Sequence, residues 1–431
     1  MTDTTAPGHL NATDAPPLHQ PGTTIGVLGG SWRADVTRWG AIRGWDPGIG
    51  LDWWVAADDR WHDPSIEPSV RQVRIEGTPV VETRLRVPRG DVIQRIYAVA
   101  DAGGCTVIEL ENDSPLPVAV VVSGVPVSSV RPPADMALDK VPADVMRLPA
   151  GAVGFPIGHH SGVTLAIAHH RPTVGAIPGG LATHAQVVRG WTATCDRASR
   201  LLLPDDAVAQ AVVSARCELL LAGPVRATEH PVDLLLGVGE LVRMGGSADD
   251  WMPEVAVAVG RLHAHHHDPM LMPALDAAER TSRVAGETRA VRDLARVRSR
   301  LRAAADHAAP GSNRSAGASA ARVITSVERS LVDGAELFPL GIPSAWFGQN
   351  FEAYDLPTSA RSSVSLAVRW HGARPAVLWE CEGAAVVLRS GVAAPEWCTE
   401  ASTGEALWPA PATQRDVAVA VAQGDHDVSF G

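Results

Sequence analysis

The residues best suited to chemistry lie in one polar segment, FPLGIPSAWFGQNFEAYDLPTS, residues 338–359. Its Gly and Pro residues indicate a loop. Glu352 and Asp355 provide a carboxylate pair, the arrangement that glycoside hydrolysis uses. Nearby amides and aromatic rings suit hydrogen bonding to sugar hydroxyls and stacking on sugar rings. We therefore predict Glu352 and Asp355 as catalytic residues, and as substrate-binding residues Trp346, Gln349, Asn350 and Tyr354. A structural loop, whose polar groups cap helices and strands, is the alternative interpretation.

Tryptophan is the dominant aromatic residue, with 13 copies against two tyrosines and five phenylalanines. Six of the tryptophans fall between residues 32 and 61, where Trp53 and Trp54 are adjacent. An indole ring offers a broad apolar face and one N–H donor, so it can stack on a sugar ring or fill a core. We predict Trp53 and Trp54 as further substrate-binding residues, with core packing as the alternative.

Four histidines and an aspartate lie within RLHAHHHDP, residues 261–269. The pattern is close to H-x-H-x-D-H, a binuclear metallohydrolase pattern, but its last two positions are exchanged. The preceding residues have helical spacing and Pro269 stops the chain, so we interpret the stretch as a helix end. A helical clip of His263 and His267, or a metal site with His265 and Asp268, is the alternative. We predict no metal ion.

Other motifs of chemical importance are missing from the sequence. There is no G-x-S-x-G nucleophile motif and no G-x-x-x-x-G-K-[ST] loop, and GVLGGSW matches neither the P-loop nor the dinucleotide-binding pattern. We therefore predict that the protein uses no cofactor.

Composition excludes several classes of protein. The net charge of −11 argues against a nucleic-acid-binding surface, which needs clustered positive charge. The sequence contains no run of about 18 apolar residues, so we predict no membrane span. The first 22 residues lack the features of a signal peptide, and the five cysteines are scattered. We predict a cytosolic protein that binds neither nucleic acid nor membrane.

The first half of the chain has the two-residue period of half-buried antiparallel strands. Val81, Leu85 and Val87 alternate with Glu82 and Arg84, for example. Strands are predicted in eight segments separated by turn residues: VRQVRIEG, TPVVETRLRVP, DVIQRIYAVAD, CTVIELEND, PVAVVVSG, AGAVGFPIG, GVTLAIAHH and HAQVVRGWTATC.

Helical spacing begins near residue 205. PDDAVAQAVVSARCELLLAG, PVDLLLGVGELVRMGG and SADDWMPEVAVAVGRLHAH predict three helices, and a long fourth is predicted from about Ala274 to Ala304. A two-residue period returns in SSVSLAVRWHG, RPAVLWECEG, AAVVLRSG and DVAVAVAQG.

These patterns predict an α+β multidomain protein. Its predicted parts are a disordered tail (1–22), an N-terminal antiparallel β-sandwich (23–203), a helical domain (204–305), a linker (306–322) and a C-terminal segment with a small β-domain (323–431).

This order resembles that of six-hairpin, (α/α)-barrel glycoside hydrolases, including glycogen-debranching-like proteins, with a shortened helical region. VIQRIYAVADAGGCTVIELENDSPLPVAVVVSG is similar to their N-terminal sandwich, and LAVRWHGARPAVLWECEG to their C-terminal β-domain. The resemblance implies a carbohydrate ligand, such as an α-glucan or a similar glycoside. Three hypotheses follow: a glycosidase-like enzyme or carbohydrate-binding protein, a non-catalytic interaction or scaffold protein, and a metal-dependent hydrolase.

Overall fold

The computed structural model describes residues 22–142, 145–265, 267–305 and 319–411. Within them, helices accompany several antiparallel sheets, which confirms the predicted α+β class. Nearly all of the predicted tail, most of the predicted linker and the predicted strand DVAVAVAQG lie outside these residues. No helix in the described ranges has the length and apolar composition that a membrane span requires.

The chain divides into two compact units. Unit 1 contains Met1–Ala193 and Cys217–Gly223, and unit 2 contains Thr194–Arg216 and Pro224–Gly431. The strands of unit 1 are β1 (Gly22–Gly26), β2 (Arg33–Thr37), β3 (Ile42–Gly44), β4 (Gly50–Ala56), β5 (Trp61–His62), β6 (Arg71–Arg74), β7 (Val81–Val87), β8 (Gly90–Val99), β9 (Cys105–Asn112), β10 (Val118–Gly124), β11 (Ser128–Ser129), β12 (Val153–Ile157), β13 (Ser161–Ala168) and β14 (Gly175–Ala176).

These strands form two seven-stranded sheets. The first has the order β1-β2-β3-β4-β10-β12 with β5 paired to β4, and the second has the order β14-β11-β13-β9-β8-β7-β6. Both sheets contribute alternate residues to one apolar core, such as Trp53 and Val55 from β4 and Val81 and Leu85 from β7. The two-residue period therefore predicts the buried face of these strands correctly.

One predicted strand of unit 1 is a helix. HAQVVRGWTATC forms α1 (His184–Cys195), not a strand. The Thr183 and Gln186 side chains bond to each other's backbone N–H groups, which is a capping box. Val188 and Trp191, three positions apart, are both buried. The T-x-x-Q spacing and this helical period were the sequence signals for α1.

The remaining helices are α2 (Asp206–Ala222), α3 (Pro231–Arg243), α4 (Met252–Arg261), α5 (Leu271–Val284), α6 (Thr288–Ala305) and α7 (Ala320–Leu331). The first three match the predicted helices. Asp205 caps α2, because its carboxylate accepts the Ala207 N–H at 3.0 Å. Gly245 adopts φ +98° and ends α3 as predicted.

The predicted long helix from Ala274 to Ala304 is wrong, because two helices, α5 and α6, cover this region. Gly286 lies between them with φ +72°. The Glu287 N–H donates to Ser282 O at 2.8 Å, and the Gly286 N–H donates to Arg283 O at 3.0 Å. These two bonds define a Schellman motif, which ends α5.

Helix α7 was not predicted from the sequence. It begins inside the predicted linker, with the Ser319 hydroxyl accepting the Arg322 N–H at 3.3 Å as its N-cap. Ala321, Ile324 and Leu331 are buried on one face of this helix. The apolar core of the helical part includes Ala321 together with residues of α3, α4, α5 and α6.

Two further sheets belong to unit 2. Their strands are β15 (Arg200–Leu202), β16 (Val332–Asp333), β17 (Glu336–Leu337), β18 (Phe351–Pro357), β19 (Ser362–His371), β20 (Arg374–Gly383), β21 (Leu388–Ser390), β22 (Ala394–Thr399) and β23 (Thr403–Leu407). One sheet has the order β15-β18-β19-β20-β23 and the other β16-β17-β21-β22. Buried residues of both sheets share one core with Trp346 and Trp408.

The C-terminal predictions are partly corrected by these strands. SSVSLAVRWHG and RPAVLWECEG form β19 and β20 as predicted, whereas AAVVLRSG contributes only the three residues of β21. The interpretation of 338–359 as a loop is wrong for its last part, because Phe351–Pro357 is strand β18. Four further short strands of the C-terminal segment, β16, β17, β22 and β23, were not predicted.

Candidate functional site

Strand β18 carries the predicted carboxylates and presents one side to solvent. Phe351, Ala353 and Leu356 are buried in the core of unit 2. Glu352 is partly exposed and Tyr354 is 36% exposed, so they lie on the opposite side of the strand. The strand thus brings two predicted site residues, Glu352 and Tyr354, onto the open face of the five-stranded sheet.

The Glu352 carboxylate connects two other polar side chains on this face. One of its oxygens accepts the Tyr354 hydroxyl, and the other accepts the Arg369 guanidinium from β19. Arg200 of β15 is the cross-strand partner of Tyr354. A carboxylate, a phenol and two guanidinium groups therefore lie side by side, and we call Arg200, Glu352, Tyr354 and Arg369 the polar row.

The two contacts of Glu352 fix its charge state. The hydrogen bond from Tyr354, followed by the bond and charge of Arg369, lowers the pKa of Glu352, and the carboxylate raises the pKa of Tyr354. Glu352 is therefore ionised at neutral pH and acts as a hydrogen-bond acceptor. A general acid in glycoside hydrolysis needs a raised pKa, so this environment does not suit Glu352 to that role.

Asp355 interrupts the regular pairing of β18. The register with β19 shifts between Ala353 and Leu356, and Asp355 adopts φ +57° at this bulge. Its N–H donates to the Ser365 hydroxyl at 3.1 Å, and its carbonyl accepts the Arg243 guanidinium at 3.0 Å. The backbone of Asp355 is therefore tied to two neighbouring elements.

The other predicted binding residues near β18 make contacts within the fold. Trp346 is 7% exposed, and its ring meets Phe351 edge-on with centroids 5.2 Å apart. The Gln349 amide donates to Ala345 O at 2.8 Å, and the Asn350 side-chain oxygen accepts the Trp370 N–H at 3.0 Å. Trp346 has no open ring face, whereas Gln349 and Asn350 are exposed.

Trp53 and Trp54 lie in unit 1, on opposite sides of β4. They are 2% and 8% exposed, and Trp53 belongs to the core between the two sheets. The Trp53 indole N–H donates to Trp39 O at 2.8 Å. Both rings are occupied by protein contacts, so we do not include them in the candidate site.

The histidine-rich stretch follows α4, as the helix-end interpretation predicted. Helix α4 ends at Arg261, and Leu262–His265 is a 3-10 turn, so His263 and His267 do not share an α-helical face. Asp268 is bound by the Arg322 guanidinium through both oxygens and accepts the Met270 N–H at 2.9 Å. No cluster of metal-binding side chains occurs in the part of the chain that the structure describes, which omits His266.

A buried ionic centre in unit 2 was not recognised from the sequence. Arg216 of α2 donates to Glu240 of α3 at 2.7 Å and to Glu328 of α7 at 3.0 Å. Arg243 donates to the same two carboxylates at 2.7 and 2.9 Å. Burial alone raises the pKa of Glu240, but the charges of Arg243 and Arg216 outweigh it and lower the pKa. These four residues join three helices.

A broad open depression of about 630 Å³ lies in unit 1, at the end of its first sheet. Arg43 and Asp52 provide its charged groups, and they pair with each other at 2.6 Å. The residues that line this depression include no aromatic ring, whereas the polar row includes the exposed Tyr354, so we take the polar row as the candidate site.

Comparison with known proteins gives no family for the chain. No protein-family model matches it, and no curated protein shows significant sequence similarity to it. The site must therefore be interpreted from its own chemistry.

Proposed function

We propose that the protein binds carbohydrate on the open face of the five-stranded sheet of unit 2. The observation that carries this proposal is the exposed Tyr354 ring beside the ionised Glu352 and the guanidinium of Arg369. The α-glucan or similar glycoside implied by the sequence is the substrate class to test first. We also propose the domain layout that the sequence predicts and its resemblance to glycoside hydrolases.

Sugar hydroxyls both donate and accept hydrogen bonds, and the polar row offers groups for each. Glu352 accepts, while Arg369 and Arg200 donate in planar forks. An aromatic ring supplies the flat apolar surface on which the C–H face of a sugar rests. Gln349 and Asn350, exposed before β18, add amide groups to the same segment.

Binding is better supported than hydrolysis. The carboxylate pair predicted for catalysis is Glu352 and Asp355, but Glu352 is held in its ionised form by Tyr354 and Arg369. Hydrolysis would therefore need a second carboxyl group to supply the proton. Asp355 is the predicted partner, and it lies at a backbone bulge of β18. Catalysis by this pair therefore stays a prediction that a turnover assay must decide.

To test this, the full-length protein is titrated with maltoheptaose and with glycogen. Binding is measured by calorimetry and by affinity electrophoresis. Tyr354→Ala should weaken binding about tenfold, because it removes the ring surface of the row. Glu229→Gln is the control, since Glu229 is exposed in unit 2 and lies outside the five-stranded sheet. Release of reducing ends, measured in the same samples, tests hydrolysis.

The proposal fails if neither glucan binds and a broad glycan array is also blank. Equal loss of binding in Tyr354→Ala and Glu229→Gln would show that the polar row is not the site. Turnover that disappears in Glu352→Gln and Asp355→Asn, with folding intact, would replace simple binding by hydrolysis.

A scaffold or interaction protein is the second candidate. Leu202 and Leu407 lie on strands of the same sheet and are 42% and 48% exposed, and such side chains suit a protein partner as well as a glycan. Loss of partner binding in Leu202→Ser, with glycan binding unchanged, would favour this function. The metal-dependent hydrolase is the weakest candidate, because Asp268 is engaged by Arg322.

A further inference from the structure

Arg280 of α5 adds a third guanidinium to the buried ionic centre. Arg216 and Arg243 are matched by Glu240 and Glu328, two cations against two carboxylates. Arg280 lies close enough to this group for the charge of Arg243 to affect its pKa. The centre and Arg280 together therefore carry one positive charge more than their carboxylates balance.

The two carboxylates that precede Arg280 on α5 are engaged by other arginines. Asp276 pairs with Arg298 at 2.6 Å, and Glu279 accepts Arg283 and Arg361 at 2.9 and 3.1 Å. Within residues 22–142, 145–265, 267–305 and 319–411, no carboxylate lies within 4.0 Å of the Arg280 guanidinium. Glu240, Glu328 and Asp276 attract Arg280 over a longer distance, but none of them forms an ion pair with it.

The Arg280 guanidinium is also short of hydrogen-bond acceptors. One of its terminal nitrogens donates to Ser359 O at 3.1 Å, whereas its Nε is shielded from solvent and has no partner in the described structure. Burial, together with the charge of Arg243, lowers the pKa of Arg280 to about 10, so the group stays protonated at neutral pH. An unmatched cation in such a place costs stability unless an acceptor reaches it.

The turn that Arg280 contacts has a hydroxyl donor to spare. Thr358, Ser359 and Ser362 carry three hydroxyl hydrogens. Two hydrogen bonds join these hydroxyls: Ser362 Oγ lies 2.6 Å from Thr358 Oγ1 and 2.7 Å from Ser359 Oγ. Two bonds use two hydrogens, so one hydrogen has no acceptor within this group. The turn therefore offers a hydroxyl donor close to the Ser359 carbonyl that Arg280 contacts.

We propose that Arg280 and the 358–362 turn bind a small oxyanion, either a phosphate group or a carboxylate. Its oxygens would accept from the Arg280 guanidinium and from the surplus hydroxyl, and its charge would neutralise the excess cation. Arg361 belongs to this turn and its side chain is 58% exposed, but it pairs with Glu279, so the anion would depend on Arg280 for its balancing charge. The site is separate from the polar row, since it shares none of its four residues.

The test is calorimetric titration of the full-length protein with inorganic phosphate and with acetate, using chloride at equal ionic strength as the reference. Arg280→Gln should weaken oxyanion binding about tenfold or more, because it removes the charged donor. Arg292→Gln is the control: Arg292 is exposed on α6 of the same unit, and its one bond in the described part of the chain is to Thr288 O, at 3.3 Å. It removes an equal charge.

The ligand-free protein supplies a second measurement. Because Arg280 is an unmatched cation, Arg280→Gln should leave the Tm of the ligand-free protein unchanged or raise it, while removing the phosphate-induced or acetate-induced rise. Saturation by phosphate identifies a phosphate ligand, and saturation by acetate a carboxylate ligand.

The proposal is overturned if neither anion binds more tightly than chloride, or if Arg280→Gln binds like the wild-type protein. Equal weakening by Arg292→Gln would also overturn it, since it would indicate a general charge effect. Glycan binding should be unaffected by Arg280→Gln, so failure here is distinguishable from failure of the carbohydrate proposal.

Discussion

Buried arginines in this protein are accommodated in three ways. Among the residues that the structure describes, Arg33 of unit 1 has no carboxylate partner, but it donates to the carbonyls of Gly30, Trp32 and Leu221 at 2.6–2.8 Å. Arg216 of unit 2 instead meets two carboxylates. Arg280 has one carbonyl and an unsatisfied Nε. In the first two patterns, groups of the protein itself satisfy the guanidinium. In the third, one N–H group is left for an external acceptor.

His169 is a buried base whose environment favours the neutral ring. It stacks on Trp32 with ring centroids 3.8 Å apart, and its Nε2 lies 3.1 Å from Thr106 Oγ1. Burial, with the nearby charges of His170 and Arg33, lowers the pKa of His169 to about 4. In the unfolded chain the pKa of histidine is about 6.5, so the unfolded state binds this proton first.

The stability contribution of a neutral His169 is therefore present above pH 6.5 and falls as the pH decreases toward 4. We expect the free energy of unfolding to fall between these values with a slope of roughly 1 kcal/mol per pH unit from this residue. Urea denaturation at several pH values measures it. His169→Gln should flatten the slope, and His159→Gln, at an exposed site, should not.

Two glycines with equally open surroundings differ in backbone conformation. Gly260 is helical within α4, and Gly286 ends α5 with φ +72°; a Cβ at either position would meet nothing within 4 Å. We expect Gly286→Ala to destabilise the protein by about 1 kcal/mol and Gly260→Ala to stabilise it by about 0.5–1 kcal/mol. Thermal unfolding of both variants measures the difference. The same sign in both would contradict a conformational origin.

Unit 1 is not a continuous stretch of chain. It includes Cys217–Gly223 at the end of α2, and Leu221 O in this segment accepts the Arg33 Nε at 2.6 Å. A fragment that ends at the predicted boundary, residue 203, lacks this acceptor. We expect a fragment of residues 22–223 to be more stable than one of residues 22–203 by about 1–3 kcal/mol or more, because the shorter one leaves a buried guanidinium short of a partner.

Chemical denaturation of the two fragments measures this difference. Arg33→Met in the longer fragment is the control, and it should remove most of the advantage because it removes the donor. If the two fragments have equal unfolding free energies, the segment 217–223 does not belong to the stable core of unit 1.

Local patterns determined much of the architecture. Alternation over 81–87 predicts which side of β7 is buried, and helical spacing predicts α2, α3 and α4, because both signals depend on near neighbours in the chain. The 338–359 segment predicts Glu352 and Tyr354 as site residues in a loop, whereas their place on one side of a strand came from the structure. Helix α1 and the break at Gly286 were also encoded locally, in a capping box and a glycine C-cap, but these signals were overlooked.

Only the tertiary structure decided which polar groups meet. Glu240 has an ordinary place in an amphipathic helix, yet it is buried against Arg216 and Arg243, and its partner Arg216 is 24 residues away. Arg280 and Ser359 are 79 residues apart, and Arg33 and Leu221 are 188 residues apart. A sequence pattern specifies the face on which a side chain lies, whereas the partner on that face depends on how distant elements fold together.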